Sequence, residues 1–143
     1  MKNKITRNQY DLEKQAKQFQ DLFETWKHSL NCRMEENVLL KNKIAEILKN
    51  NYDHNSLEEI EEFQTQFIME DELIHSLRRD INELDNFMHS KLPGNGKVEK
   101  SFHTKMENMC KDIANSITSF SILKAAFDNF QNRIFSNVEN HQL

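Results

Sequence analysis

The stretch Leu92-Pro93-Gly94-Asn95-Gly96 contains the only proline and both glycines of this 143-residue chain. These two residue types disfavour an α-helix most, by about 3 kcal/mol for proline and about 1 kcal/mol for glycine at an interior position. The stretch is typical of a turn. Because the sequence on either side lacks strong helix breakers, it predicts an all-α protein.

Apolar residues recur at alternating steps of three and four along the chain, which is the spacing of a coiled-coil seam. They form three runs, and each run predicts one long helix. We expect helices over residues 8–51, 56–92 and 97–139. The seam positions are Leu12, Ala16, Phe19, Phe23, Trp26, Leu30, Leu40, Ile44 and Ile47; Ile60, Phe63, Phe67, Ile74, Leu77, Ile81, Leu84 and Met88; and Phe102, Met106, Met109, Ile113, Phe120, Leu123, Phe127, Phe130 and Ile134.

The start of the second helix has a capping signal of its own. Ser56 is followed three residues later by Glu59, which matches the capping box and places Ser56 at the N-cap. The polar run Asn50–Asn55 just before it interrupts the first seam. The second helix is therefore predicted to begin at Ser56.

Short connections make neighbouring helices antiparallel, so the sequence predicts an elongated up-down-up three-helix bundle. We expect a single domain over residues 1–143, with residues 1–7 and 140–143 as flexible ends. Two alternatives remain. The first helix could break near residues 31–37 and fold back to give four shorter helices, or a hairpin could complete a four-helix bundle by dimerisation.

Each seam also contains polar residues near its middle. Arg33 and Asn37 lie in the first seam, Glu70 in the second and Ser116 in the third. Folding the hairpins about their loops sets Glu70 opposite roughly residue 36 and brings the third helix level near residue 119. The sequence thus predicts one buried polar layer formed by Arg33, Asn37, Glu70 and Ser116.

Two roles are open for this layer. As a structural element it controls register, because buried polar groups lose their partners if a helix slips. As a ligand site it would bind a carboxylate through Arg33, oriented by Glu70.

The net charge of −4 is unevenly distributed. Residues 53–92 contain three Lys or Arg against eleven Asp or Glu, whereas the segments before and after are slightly basic. Acidic runs such as Glu58–Glu62 repel phosphates, and no basic stripe with aromatic residues occurs elsewhere. The sequence predicts no nucleic-acid partner and no membrane partner.

Signals for chemistry are weak. Glu72 and His75 form a single E-x-x-H motif of the kind that di-iron bundles use twice, but both point away from the seam. All six histidines are expected at the surface, with His103 on a helix exterior and His54 in a loop. Cys32 and Cys110 are too few for a disulfide framework. We expect no catalytic residue, no metal site and no cofactor.

Leu39, Ile68 and Ile122 are apolar, lie off their seams and fall at nearly one height in the predicted bundle. We expect a non-enzymatic, cytoplasmic helical bundle that acts through protein–protein contacts, with another protein or as a homodimer. The alternative is a metal-binding or small-ligand-binding bundle whose site is completed by dimerisation, with two copies of Glu72 and His75. The N-terminal residues, charged and then polar, are typical of neither a secretory signal nor a membrane anchor.

Overall fold

The computed structural model describes the chain over residues 7–50, 54–91 and 96–142, and its side chains over 13–50, 55–90 and 100–136. Three long helices are present: α1, Arg7–Lys49; α2, His54–Lys91; and α3, Gly96–Gln142. No strand occurs in this described part of the chain. The predicted all-α class and three-helix bundle are confirmed. The alternative with a first helix broken near residues 31–37 is wrong, because α1 continues through them. The alternative of a four-helix bundle completed by dimerisation stays a prediction.

The first helix ends two residues before its predicted end. The backbone N–H of Asn50 donates to the carbonyl oxygen of Ile47 at 3.2 Å. This contact spans three residues instead of four, which tightens the last turn as helix ends commonly do. The helix therefore closes at Lys49.

The second helix begins at His54, so Ser56 is an interior residue and the predicted N-cap is wrong. Asn, Asp and Ser cap helices almost equally well, and Asn50–Ser56 contains several of them, so residue type does not select one start. His54 is accordingly the first residue of α2, so the prediction that it lies in a loop is wrong. The third helix begins at Gly96, and the rest of the predicted turn, residues 92–95, lies outside the described residues.

The chain divides into two compact units, each built from one segment of every helix. Unit 1 comprises Met1–Asn31 and Ser76–Ile113, and unit 2 comprises Cys32–His75 and Ala114–Leu143. Each unit has its own core. The expectation of a single domain stays a prediction.

The core of unit 1 is apolar throughout its described part. The rings of Phe19 and Phe102 meet edge to face with centroids 5.1 Å apart, and Phe23 packs beside Trp26 at 6.0 Å. An ion pair from Lys27 to Asp85 at 3.5 Å connects α1 to α2 at the margin of this core. The fully buried or nearly buried apolar residues are Phe23, Trp26, Leu30, Leu77, Ile81, Leu84, Met88, Phe102, Met106, Met109 and Ile113.

The core of unit 2 is organised around four phenylalanines. Phe63 lies 5.3 Å from both Phe127 and Phe130, and Phe67 meets Phe127 edge to face at 5.3 Å. Aliphatic residues complete this core: Leu40, Ile44, Ile47, Ile60 and Ile134. Of the seam positions with described side chains, all are buried except Ala16, Phe19, Phe63 and Leu123, which are partly exposed. Periodicity alone therefore located the packed faces.

Candidate functional site

The four residues of the predicted polar layer all lie in unit 2, and all are buried. The exposed fraction is 6% for Arg33, 0% for Asn37, 7% for Glu70 and 4% for Ser116. They are the buried polar or charged residues of the described part of the chain. The mid-seam polar positions thus come together between the helices of one unit.

Arg33 connects all three helices of unit 2. Its Nη1 donates to the hydroxyl oxygen of Ser116 at 2.9 Å. The same nitrogen lies 3.6 Å from Oε1 of Glu70, close enough for an ion pair but too long for a hydrogen bond. Because both charged side chains are only 8% exposed, this pair is held largely away from water.

Asn37 extends the layer toward solvent through a residue that the sequence reasoning missed. Its Nδ2 donates to the carbonyl oxygen of Phe67 at 2.9 Å and to Oδ1 of Asp71 at 2.6 Å. Lys41 Nζ donates to the other carboxylate oxygen of Asp71. The signal for Asp71 was its place beside Glu70, one step off the seam, where a carboxylate reaches both the core and the surface.

Several buried polar atoms of the layer have no hydrogen-bond partner among the described residues: Nε and Nη2 of Arg33, Oδ1 of Asn37 and Oε1 of Glu70. Such atoms cost about 1 to 3 kcal/mol each when they are buried without a partner. The layer therefore lowers the free energy of unfolding relative to an apolar core of the same size. Chemically, the Nε and Nη2 edge of a guanidinium is suited to a carboxylate or phosphate.

Burial also alters the acid–base behaviour of the central pair. Removal from water raises the pKa of Glu70, the neighbouring Arg33 opposes that rise, and the adjacent Asp71 adds to it. Burial lowers the pKa of Arg33, against the attraction of Glu70. Both pKa shifts favour the neutral form, which means that the loss of hydration outweighs the attraction between Arg33 and Glu70.

The exposed apolar residues are concentrated in the same unit. Among the side chains over residues 13–50, 55–90 and 100–136, ten large hydrophobic ones are exposed, and of these Leu22 alone belongs to unit 1. The most exposed are Leu39 at 62%, Met69 at 60% and Ile122 at 65%, one on each helix. The others in unit 2 are Val38, Leu57, Ile68, Leu73, Ile117 and Phe135. We call these nine residues the unit 2 apolar surface.

One part of this surface lines a groove between α1 and α3. The groove has a volume of about 610 Å³, and Leu39 and Leu40 contribute its apolar wall. Charges of both signs surround it, including the ion pair of Lys124 Nζ with Glu36 Oε1 at 2.6 Å. A partner of mixed charge would fit this side of the unit.

The segment of α2 in unit 2 is strongly acidic. Residues 55–75 contain seven Asp or Glu and no Lys or Arg. Glu59, Glu70 and Asp71 have cationic partners on other helices. The other four are exposed or near the surface and make no ion pair with the described residues: Glu58, Glu61, Glu62 and Glu72.

Among the histidines whose side chains are described, His103 departs from expectation. His103 is partly buried and not on the helix exterior, since its ring lies 5.7 Å from that of Phe19 and its Nε2 accepts a 3.4 Å hydrogen bond from Gln15. An aromatic ring beside Phe102 can reach across to α1, which angular position alone does not reveal. Both thiols are exposed and are not joined in a disulfide.

Glu72 and His75 are exposed on α2. Among the described residues, no group of three or more His, Cys, Asp or Glu side chains is arranged to hold a metal ion. Over the same part of the chain, the search for a membrane-spanning segment found no helix with the necessary length and apolar character.

The chain matches no family model, no curated protein and no solved structure. Its function is therefore inferred from its own geometry and charge.

Proposed function

We propose that this chain is a non-enzymatic helical module of the cytoplasm that binds another protein, or a second copy of itself, through the unit 2 apolar surface. The observation that carries this proposal is that, among the residues whose side chains the structure describes, nine large hydrophobic ones are exposed in unit 2 and one in unit 1. Two exposed thiols without a disulfide suit a reducing compartment.

The physical argument concerns what these side chains contribute to folding. A side chain that is about 60% exposed, such as Leu39 or Met69, has gained little from burial within its own chain. Scattered single apolar residues are ordinary on protein surfaces, but nine of them in one unit favour an interaction site there. A partner that covers them supplies the missing burial.

The buried polar layer is proposed to align the helices of unit 2. Arg33, Asn37 and Glu70 obtain their contacts only in one register, so a slipped helix leaves these groups without partners. This role accounts for an interior that lowers stability and is nevertheless kept.

Photo-crosslinking in native cells tests the interaction directly. A benzophenone amino acid is placed singly at Leu39, Met69 or Ile122 in unit 2. We expect irradiation to give a covalent adduct from these positions. An adduct of twice the chain mass identifies self-association, and any other mass identifies a separate partner.

The control places the same amino acid at exposed positions of unit 1, namely Thr25, Asn82 and Lys111. These positions should give no adduct, or much less. Equal adducts from both units, or none from unit 2 at endogenous expression, would contradict the proposal.

A further inference from the structure

The side of α2 that faces α3 in unit 2 is identified by a hydrogen bond between the two helices. Arg133 Nη2 donates to Glu59 Oε2 at 3.2 Å. Leu73 follows Glu59 by 14 residues, which is close to four helical turns. Ile122 precedes Arg133 by 11 residues, close to three turns. Leu73 and Ile122 therefore border the same groove between α2 and α3.

An apolar strip follows this groove. Met69 lies one turn from Leu73 on α2. In the antiparallel register set by Glu59 and Arg133, Met69 is level with Ile122. The three side chains are 60%, 39% and 65% exposed for Met69, Leu73 and Ile122. We call them the α2–α3 strip.

Carboxylates frame the α2 side of the strip. Glu62 precedes Met69 by one heptad, and Glu72 follows it by three residues. Both are exposed and make no ion pair with the described residues. The rim on this helix therefore has two uncompensated negative charges.

The α3 side does not neutralise them. Residues 114–136 contain only two cationic side chains, Lys124 and Arg133. Lys124 pairs with Glu36 at 2.6 Å and Arg133 with Glu59 at 3.2 Å. The groove is consequently apolar at Met69, Leu73 and Ile122 and anionic at its α2 edge.

We infer that this groove binds a basic amphipathic helix of a partner protein, an inference that rests on the proposed function. The partner's apolar stripe covers the α2–α3 strip, and its Lys or Arg side chains meet Glu62 and Glu72. A helix suits the site because the space between two packed helices accommodates a third along the same direction. The added helix gives unit 2 a four-helix cross-section.

Charge distinguishes this occupant from a second copy of the chain. A twofold contact that packs α2 of one copy antiparallel to α2 of the other would bring the Glu62 and Glu72 carboxylates of both copies close together. Carboxylates that come close together repel each other, which opposes association of two copies. An anionic lipid surface is disfavoured by the same repulsion.

The test uses a defined probe, a fluorescein-labelled peptide of about 20 residues with leucine at heptad positions a and d and lysine elsewhere. A second peptide has glutamate in place of every lysine. Fluorescence anisotropy measures binding to the full chain. We expect saturable binding of the lysine peptide and binding at least about tenfold weaker for the glutamate peptide.

Two double variants locate the binding. Met69→Gln with Ile122→Gln removes apolar contact, and Glu62→Gln with Glu72→Gln removes charge; each should weaken the Kd about tenfold. The matched controls are Leu39→Gln, which is equally exposed on α1, and Glu83→Gln with Glu107→Gln, which removes the same charge from unit 1. Both controls should change the Kd less than about twofold. Circular dichroism verifies that every variant remains folded.

Three results would overturn the inference: no binding of the lysine peptide, equal weakening by control and test variants, or a dimer in sedimentation that Met69→Gln with Ile122→Gln dissolves. The last result assigns the groove to a second copy. If the peptide fails while crosslinks still form from unit 2, the basic partner is wrong and the interaction surface stands.

Discussion

Units 1 and 2 are both three-helix assemblies with the same seam spacing, yet they differ in the polarity of the core and in the apolar area of the surface. Within the part of the chain whose side chains are described, the core of unit 1 is apolar and Leu22 is its one exposed large hydrophobic residue. Within the same part, unit 2 buries Arg33, Asn37, Glu70 and Ser116 and exposes nine large apolar side chains. Unit 2 therefore has polar side chains in its core and apolar side chains on its surface.

This difference concerns how much each unit gains from burying its apolar side chains. Unit 1 has the arrangement that folding alone favours, because each apolar side chain gains from burial. Unit 2 gives up some of that gain at its core and leaves apolar area in water. Stability alone does not favour such an exchange.

The largest expected effect breaks the interior of unit 2. Glu70→Ala leaves Arg33 as a buried charge without its counter-ion, and we expect the free energy of unfolding to fall by about 3 to 5 kcal/mol. Urea unfolding monitored by circular dichroism measures it. The matched change in unit 1 is Lys27→Ala, which removes a partly exposed ion pair and should cost less than about 1 kcal/mol. Equal losses would mean that the two interiors do not differ.

The next prediction concerns a variant in which the core of unit 2 is made apolar, like that of unit 1. Arg33→Leu combined with Glu70→Leu removes both buried charges, and the free energy of unfolding should stay unchanged or rise by about 1 to 4 kcal/mol. Amide spectra by nuclear magnetic resonance report alignment: one set of sharp peaks in the parent chain and broadened or multiple peaks in the variant. Sharp single peaks in the stabilised variant would contradict the register role.

A smaller effect concerns pH. Since burial raises the pKa of Glu70 in the folded chain, the folded state binds the proton more tightly than the unfolded state. The stability from this group is fully present below the ordinary glutamate pKa of 4.5 and is lost as pH rises through the folded-state value. One proton contributes a slope of at most about 1.4 kcal/mol per pH unit.

Glu70→Gln should remove this contribution, so the difference in stability between variant and parent should change across that pH window. Glu62→Gln, on the exposed face of the same helix, should not alter the profile. Parallel profiles for the parent and Glu70→Gln would show that Glu70 titrates in the folded state as it does in the unfolded chain.

The smallest expected effect is on the outside of unit 2. Leu39→Gln or Ile122→Gln should change the free energy of unfolding by no more than about 0.5 kcal/mol, because these side chains are mostly in water and glutamine is a good helix former. Leu30→Gln in the core of unit 1 is the contrasting change and should be severely destabilising. A large loss at Leu39 would indicate that the exposed surface supports the fold itself.

The fold followed from the sequence because only one kind of signal was needed. Three apolar seams determine which faces pack, and Glu70 stood out as the one charged residue in the second seam. The helix ends were less accurate, since Asn, Asp and Ser compete as caps before α2. The prediction of a packed face depends on many residues of a seam, whereas the prediction of a helix end depends on a single capping residue.

The details of the site were less accessible. Asp71 lies off the seam, where a carboxylate is ordinary, and its contacts with Asn37 and Lys41 depend on side-chain reach. His103 was misplaced for the same reason. The contrast between the units was also hidden, because off-seam apolar residues acquire meaning only after each has been assigned to a unit.

The single tryptophan of the chain, Trp26, lies in the core of unit 1, where it is 7% exposed. Intrinsic tryptophan fluorescence is therefore an optical reporter of one unit, whereas far-ultraviolet dichroism records the helices of both. Denaturation curves from the two signals superimpose only if the chain melts in a single step. A Trp-free background with tryptophan installed at Phe120 would give unit 2 a reporter of its own.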